Sequence, residues 1–143
     1  MKTLKQLLDE RPRNAVTVSP DDTVFSALEL MAKHEIGAVM CMTGDKLAGI
    51  FSERDYARKI ILHGKSSKET LVREIMTEKV LYARPNQTSD EAMAIMTEKH
   101  IRHLPVLDEN QKVIGMISIG DLVKETISHQ AFLIQQLEQY IAG

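Results

Sequence analysis

The chain has 143 residues, 43% of them hydrophobic and 27% charged, a composition that predicts a packed core and excludes a long disordered region. Its 18 basic and 20 acidic residues are mixed along the chain, and only 4% of residues are aromatic, so we expect no nucleic-acid partner. The apolar runs are far shorter than the roughly 20 residues of a membrane span, so we expect no membrane partner and predict a cytoplasmic protein.

The first half of the chain predicts a helical cap followed by a small α/β unit. Residues 1–14 carry Leu4, Leu7 and Leu8 at helical spacing, and we expect this helix to cap the module. Residues 15–63 predict the order strand, helix, strand, strand, helix. The predicted bounds of these five elements are 16–18, 23–34, 38–42, 47–51 and 52–63.

Local signals within this unit predict where its first helix begins and ends. Asp22 or Thr23 is the expected N-cap of the helix, and Gly37 is the expected break after it. The single cysteine, Cys41, lies inside an apolar run, which predicts a buried structural thiol rather than a redox centre.

The second half predicts the same pattern after a polar connector. Residues 64–78 predict a linker that ends in a short helix, and residues 79–125 predict a second unit. Its elements are expected at 80–83, 89–99, 103–107, 113–117 and from about 119. Residues 126–143 predict a C-terminal helix with an apolar stripe, and so weakly charged a helix should be buried against something. The stripe consists of Ile127, Ile134, Leu137 and Ile141.

The two units match each other at corresponding positions across most of the chain. The second copy has one inserted residue at a turn, the place where a duplicated fold best tolerates an insertion. Because each unit is too small to be stable on its own, we expect the two units to share a core. The matching pairs are Pro20 and Pro85, Thr23 and Thr88, Ala27 and Ala92, Met31 and Met96, Ile36 and Ile101, Gly49 and Gly115, Ser52 and Ser118, and Asp55 and Asp121.

Two short motifs at matching positions carry a family resemblance. Residues 49–55 read GIFSERD and residues 115–121 read GMISIGD, and both fit glycine, two apolar residues, serine, two variable residues and aspartate. With IRHLPV at 101–106, the chain resembles the cystathionine beta-synthase (CBS) domain family, in the stand-alone tandem form called a Bateman module. The resemblance covers about residues 15–124.

The resemblance implies a fold, a ligand class and an assembly. The fold is α/β (α+β), with two β-α-β-β-α repeats packed sheet to sheet about a pseudo-twofold axis. Adenosine-containing ligands occupy clefts between the repeats, AMP first, with ADP, ATP, NAD and S-adenosylmethionine as alternatives, and no catalytic cofactor is expected. The resemblance also implies a homodimer, joined through helices near 56–61 and 122–127 and extended by the tail, and a protein target that is regulated in trans.

The residues themselves support a nucleotide site at each motif. A serine at the end of a buried strand, followed three residues later by aspartate, places a hydroxyl and a carboxylate on the first turn of a helix. Backbone N–H groups there favour phosphate, and the carboxylate can accept hydrogen bonds from ribose hydroxyls. The alternative is that the serines are plain N-caps and the aspartates plain first-turn charges.

We expect each cleft to combine residues of both repeats. Arg102 and His103 suit phosphate groups. Arg54 and Arg58 either add positive charge to a phosphate region or are solvated helix charges. The second cleft has no cation that matches Arg102 or His103, so it is expected to take a different ligand or to stay empty. The first predicted site contains Ser52, Arg54, Asp55, Val80, Leu81, Arg102 and His103. The second contains Val16, Thr17, Gly37, Ala38, Ser118 and Asp121.

Other functions have less support in the sequence. His100 and His103 lack the further ligands that a metal site needs. The repeats share no set of nucleophile, base and orienting group, so we expect no enzyme. The alternative to a nucleotide sensor is a ligand-independent interaction or assembly module with vestigial clefts, and a third possibility is an enzyme that acts on a nucleotide.

Overall fold

A computed structural model describes residues 2–10 and 15–142. The ends of the predicted cap 1–14 and of the predicted C-terminal helix 126–143 fall partly outside these ranges. The helices are α1 (Leu4–Glu10), α2 (Val24–His34), α3 (Glu53–Asp55), a π-helix (Tyr56–Ile61), α4 (Val72–Ile75), α5 (Ser89–Lys99) and α6 (Ile119–Ala142). The strands are β1 (Thr17–Val18), β2 (Ala38–Thr43), β3 (Lys46–Ser52), β4 (His103–Leu107) and β5 (Val113–Ser118).

The first repeat is a three-stranded sheet covered by helices. β1 pairs in parallel with β2, and β2 pairs antiparallel with β3. Thr23 is the N-cap of α2, since its side chain accepts a hydrogen bond from the Ser26 amide. The expectation that Gly37 breaks this helix was wrong. Glu35 takes the left-handed conformation with φ 53° and sends its N–H back to the carbonyls of the last turn, which ends α2 two residues earlier.

The second repeat has helices at the corresponding positions but a two-stranded sheet, in which β4 pairs antiparallel with β5. The strand predicted at 80–83 is not formed within the described residues, and Ala83 alone bridges to Val106. The Ala83 amide donates to the Pro105 carbonyl, and its own carbonyl accepts from Leu107, each at 2.9 Å. A further ladder bond toward Leu81 would need an N–H at residue 105, which proline lacks.

Strands β2 and β4 are buried on both faces. In β2, Val39 and Cys41 lie in the core of the first repeat, while Ala38 and Met40, which point the other way, are also buried. The same holds for β4, where Leu104 and Val106 lie in the core of the second repeat. The alternate residues of β4, Pro105 and Leu107, are buried as well. The faces turned away from the helices pack between the repeats, which confirms the predicted α+β class and the sheet-to-sheet arrangement.

The segments before each repeat are exchanged between the repeats. Thr3 forms an antiparallel bridge with Thr88 of the second repeat, and Leu71 in the linker forms the matching bridge with Thr23 of the first. Leu4 is fully buried in the second core, as its counterpart Val72 is in the first. The duplication therefore extends into the cap and the linker.

The motif glycines allow these exchanged segments to approach the sheets. A Cβ on Gly49 would lie 2.8 Å from the Met76 sulfur and 2.8 Å from the Thr77 carbonyl oxygen. A Cβ on Gly115 would lie 2.7 Å from Leu8 Cδ2. Real Cβ atoms essentially never come so close to another heavy atom. Gly49 faces a main-chain oxygen that cannot move away, so this position requires glycine, whereas at residue 115 the flexible end of Leu8 would have to shift.

Candidate functional site

Ser52 ends β3 and caps the helix that follows it. Its hydroxyl accepts a hydrogen bond from the Asp55 amide at 3.2 Å. The Asp55 carboxylate accepts from the Ser52 amide at 3.0 Å and from the Ser52 hydroxyl at 3.1 Å. The two residues close a capping box, so the N-cap geometry expected at the motif is present.

Two further side chains, Thr77 and Lys59, hold the Asp55 carboxylate. The residue as a whole is 8% exposed. Its Oδ1 atom accepts a hydrogen bond from the Thr77 hydroxyl at 3.3 Å and pairs with the Lys59 ammonium at 3.2 Å. Lys59 also donates to the Ile75 carbonyl at 2.9 Å. The first motif is thereby fastened to the linker and to α4.

The helix predicted at 52–63 is an ordinary α-helix only in its first turn. It continues as a π-helix, Tyr56–Ile61, whereas the equivalent part of the second repeat is regular α-helix. π-Helical turns are rare and occur frequently at functional sites.

A cleft of about 470 Å³ opens between the two repeats directly beside this motif. All seven residues predicted for the first site line it, and they come from both halves of the chain. A volume of this size is typical of a small-molecule site. The lining residues are Gly37, Ala38, Ile50, Ser52, Glu53, Arg54, Asp55, Thr77, Lys79, Val80, Leu81, Ile101, Arg102, His103 and Ile119.

The charged lining is richer than the sequence indicated. Lys79 and Glu53 both face the cleft, and neither was predicted. Lys79 directly precedes the predicted Val80, and Glu53 is a variable position of the motif, so only the adjacency to predicted residues pointed to them. The Arg54 guanidinium donates to the His100 carbonyl at 3.0 Å and so links the repeats. Arg58 is exposed and lies outside the lining.

His103 lies between the two motifs. It pairs with Ser118 in the second sheet, and its Cε1 atom is 3.5 Å from where a Cβ on Gly37 would lie. Burial lowers the pKa of His103 below its usual 6.5, and the Arg102 charge acts in the same direction. The carboxylates of Glu53 and Asp121 oppose this shift. The imidazole is therefore neutral at pH 7 and is sensitive to the charges of both motifs.

The residues predicted for the second site are distributed differently. Ser118 and Asp121 form the same pair of hydrogen bonds as the first motif, at 2.9 and 3.2 Å. Gly37 and Ala38, however, line the first cleft. Val16 packs on the first core, and Thr17 is exposed on β1. In the repeat, positions 14–16 correspond in sequence to residues 79–81, which line the first cleft. Residue 14 lies outside the described ranges.

Three further observations concern the chemistry expected elsewhere in the chain. Cys41 is buried as predicted, and burial raises the pKa of its thiol to about 12. Over residues 2–10 and 15–142, no three His, Cys, Asp or Glu side chains cluster as metal ligands would. None of the described helices is both long enough and apolar enough to span a bilayer.

Comparison with known proteins supports the same interpretation. The sequence matches the CBS domain family over residues 11–62 and 72–128. The solved structure of a CBS-domain protein from Burkholderia ambifaria is 53% identical with a TM-score of 0.86, covering 90% of this chain and 96% of that one. A CBS-domain protein from Agrobacterium tumefaciens is 39% identical with a TM-score of 0.81, covering 87% and 99%.

A curated relative is longer than this chain. The mitochondrial CBS domain-containing protein CBSX3 of Arabidopsis thaliana is 44% identical over 128 residues, which are 86% of this chain and 62% of the relative. The chain thus spans less than two thirds of that protein. The resemblance first seen in two short motifs is confirmed: the chain belongs to the CBS domain family and carries two tandem copies of that domain.

Proposed function

We propose that this protein is a nucleotide-sensing regulatory module that binds an adenosine-containing ligand in the cleft between its repeats. The observation that carries the proposal is that seven residues predicted from separate parts of the sequence line one cleft of about 470 Å³. A ligand in this cleft touches both repeats at once, so its binding free energy depends on how the repeats are placed.

The chemistry of the cleft fits a nucleotide with a phosphate group. The Oδ1 atom of Asp55, which now accepts from Thr77, is the acceptor for the ribose hydroxyls. Arg102 and Lys79 supply charge for phosphate oxygens, and Arg102 offers a planar fork of donors. AMP is the first candidate, and ADP, ATP, NAD and S-adenosylmethionine are the alternatives.

Two proteins with the same fold support this ligand class. A CBS-domain protein from Pyrobaculum aerophilum was solved in complex with AMP. The CBS domain pair of the protein MJ0100 was solved in complex with 5'-methylthioadenosine and S-adenosyl-L-methionine. At 20% and 23% identity these structures share the fold, and the ligand of the present chain is our inference from its own cleft.

The proposal includes the assembly and the mode of action. Two copies form a homodimer through the helices that follow each motif, where Ile61, Leu62 and Val123 expose apolar surface. The ligand changes the angle between repeats or subunits, and the change is read by a protein target in trans. The protein is regulatory rather than catalytic. The cytoplasm stays a prediction, since the Arabidopsis relative carries a mitochondrial designation.

A thermal-shift screen tests the proposal. The protein is melted alone and with AMP, ADP, ATP, NAD or S-adenosylmethionine, each also assayed for chemical change after incubation. A ligand that binds only the folded state stabilises it by about 2.7 kcal/mol at one hundred times its Kd, so at least one compound should raise the Tm and be recovered unchanged. No shift with any compound would favour the ligand-independent assembly module, and a consumed nucleotide would indicate an enzyme.

A further inference from the structure

The second half of α6 has no partner within the described chain. α6 is one continuous helix of 24 residues, about 36 Å long at 1.5 Å per residue. From residue 130 to residue 141 every residue is exposed, and Tyr140 and Ile141 are 88% and 87% exposed. A solitary helical segment of this length gains little stability in water, so the segment needs a surface to pack against.

The apolar residues of α6 repeat every seven positions. Ile127, Ile134 and Ile141 occupy one heptad position, called a. Val123 and Leu137 occupy the position four residues earlier, called d, which residue 130 also shares. Isoleucine at a with leucine at d is the pattern that favours two-stranded parallel coiled coils.

We propose that α6 of two copies of this chain pair in parallel as a two-stranded coiled coil, with a seam that runs from Val123 to Ile141. The inference rests on the homodimer proposed above and specifies how its tails are joined. A second copy fits the seam because residues 127–142 carry no lysine or arginine and a single acidic residue, Glu138, so two tails meet with little like-charge repulsion.

Gln130 decides the direction of the pair. It is the one polar residue at an a or d position between Val123 and Ile141. In a parallel pair the two copies of Gln130 face each other, and their amides can hydrogen-bond. In an antiparallel pair, a positions face d positions, so Gln130 would face an isoleucine and lose a partner for its buried amide.

The exposed area is sufficient for a stable interface. Six side chains on the seam and its flank range from 46% to 88% exposed. At roughly 200 Å² for a fully exposed large side chain they offer on the order of 800 Å², the area that a standard interface buries on each partner. These six are Ile127, Leu133, Ile134, Leu137, Tyr140 and Ile141.

Two variants with equal exposure test the seam. Ile134 is 56% exposed and lies on the seam, whereas Phe132 is 55% exposed and lies on the opposite side of the helix. We expect Ile134→Glu to weaken dimerisation at least a hundredfold by light scattering, and Phe132→Glu to leave the dimer intact. A dimer unchanged by Ile134→Glu, or lost equally in both variants, would overturn the proposed seam.

Disulfide cross-linking tests the direction. The natural thiol of Cys41 is buried and does not interfere. Under mild oxidation Leu137→Cys, at a d position in a chain that keeps Gln130, should form a covalent dimer, and Gln135→Cys, on the outer face, should not. A non-covalent dimer that Leu137→Cys fails to cross-link would overturn the parallel pairing. Calorimetry with AMP on Ile134→Glu reports separately on the nucleotide proposal, because residue 134 lies outside the cleft.

Discussion

The Thr77 hydroxyl donates a hydrogen bond of 3.3 Å to the Oδ1 atom of Asp55, which joins the linker to the first motif inside the cleft. The backbone reinforces this contact, since Ile50 and Thr77 exchange two main-chain hydrogen bonds of 3.0 and 2.9 Å. The linker is thus part of the site wall rather than a loose connection between repeats.

Thr77→Val removes the hydroxyl and keeps the shape and the main-chain bonds of the residue. We expect the free energy of unfolding to fall by about 1.5–3 kcal/mol, the contribution of one hydrogen bond to a carboxylate. Denaturant melts of the variant and the parent protein measure this change in the free energy of unfolding. Thr43→Val, at an exposed end of β2, is the control and should change the free energy by less than about 0.5 kcal/mol. Equal effects of the two changes would contradict the role assigned to the hydroxyl.

The two motif glycines should respond differently to alanine. A methyl at residue 49 meets the Thr77 carbonyl oxygen at 2.8 Å, whereas one at residue 115 meets only the flexible tip of Leu8. We therefore expect Gly49→Ala to cost about 1–3 kcal/mol and Gly115→Ala less, measured by denaturant melts. Leu8→Ala should relieve the Gly115→Ala contact. A larger cost at residue 115 would contradict this packing.

Replacing Ser89 should stabilise the folded protein. Its hydroxyl oxygen is buried and has no hydrogen-bond partner, and the equivalent residue in the first repeat is Val24. Ser89→Ala removes the unsatisfied group at the start of α5 and should raise the free energy of unfolding by about 1 kcal/mol. Ser128→Ala, on the exposed part of α6, serves as the control. A loss of stability in Ser89→Ala would show that the hydroxyl has a partner.

The lowered pKa of His103 predicts a stability that depends on pH. Below its ordinary pKa of 6.5 the unfolded chain binds a proton at His103 while the folded protein keeps the imidazole neutral. The stability that neutral His103 contributes is therefore fully present above pH 6.5. It is lost as the pH falls through the lower pKa of His103 in the folded protein. Between pH 7.5 and 5.5 the protein should lose more stability than His103→Gln does. The exposed His63 provides the control His63→Gln, which should follow the parent protein.

Much of this fold follows from the duplicated pattern. Strands β2 to β5, helices α2 and α5, and the cluster around Ser52 and Asp55 were predicted because apolar periodicity and capping residues act locally. The prediction of a strand at 80–83 was wrong because the pairing of that segment depends on a distant residue, Pro105. The exchange of cap and linker between repeats was missed for the same reason, since contacts such as Leu8 with Gly115 have no local signature.

The charged residues of the cleft were only partly predicted, because their proximity depends on contacts between distant segments. Lys79 and Glu53 belong to different segments, and their presence in one cleft follows from how the repeats pack. The position of His103 between Glu53 and Asp121 is likewise a product of the pseudo-twofold arrangement. Sequence reasoning placed His103 with the first site alone.

The proposed function requires that the first cleft bind a nucleotide with Arg102 at its phosphate end. Calorimetric titration of AMP into the parent protein, Asp55→Ala, Asp121→Ala, Arg102→Ala and the control Arg58→Ala tests this directly. Since hydrogen bonds to charged groups contribute on the order of 1.5–3 kcal/mol, Arg102→Ala should weaken one binding event roughly ten- to over a hundredfold. Asp55→Ala should weaken the same event, Asp121→Ala should affect only a second event, and Arg58→Ala should match the parent. AMP binding that is unchanged in Arg102→Ala and Asp55→Ala would contradict a nucleotide site in the first cleft. An Arg102→Ala effect on the event lost in Asp121→Ala would contradict the assignment of Arg102 to that cleft.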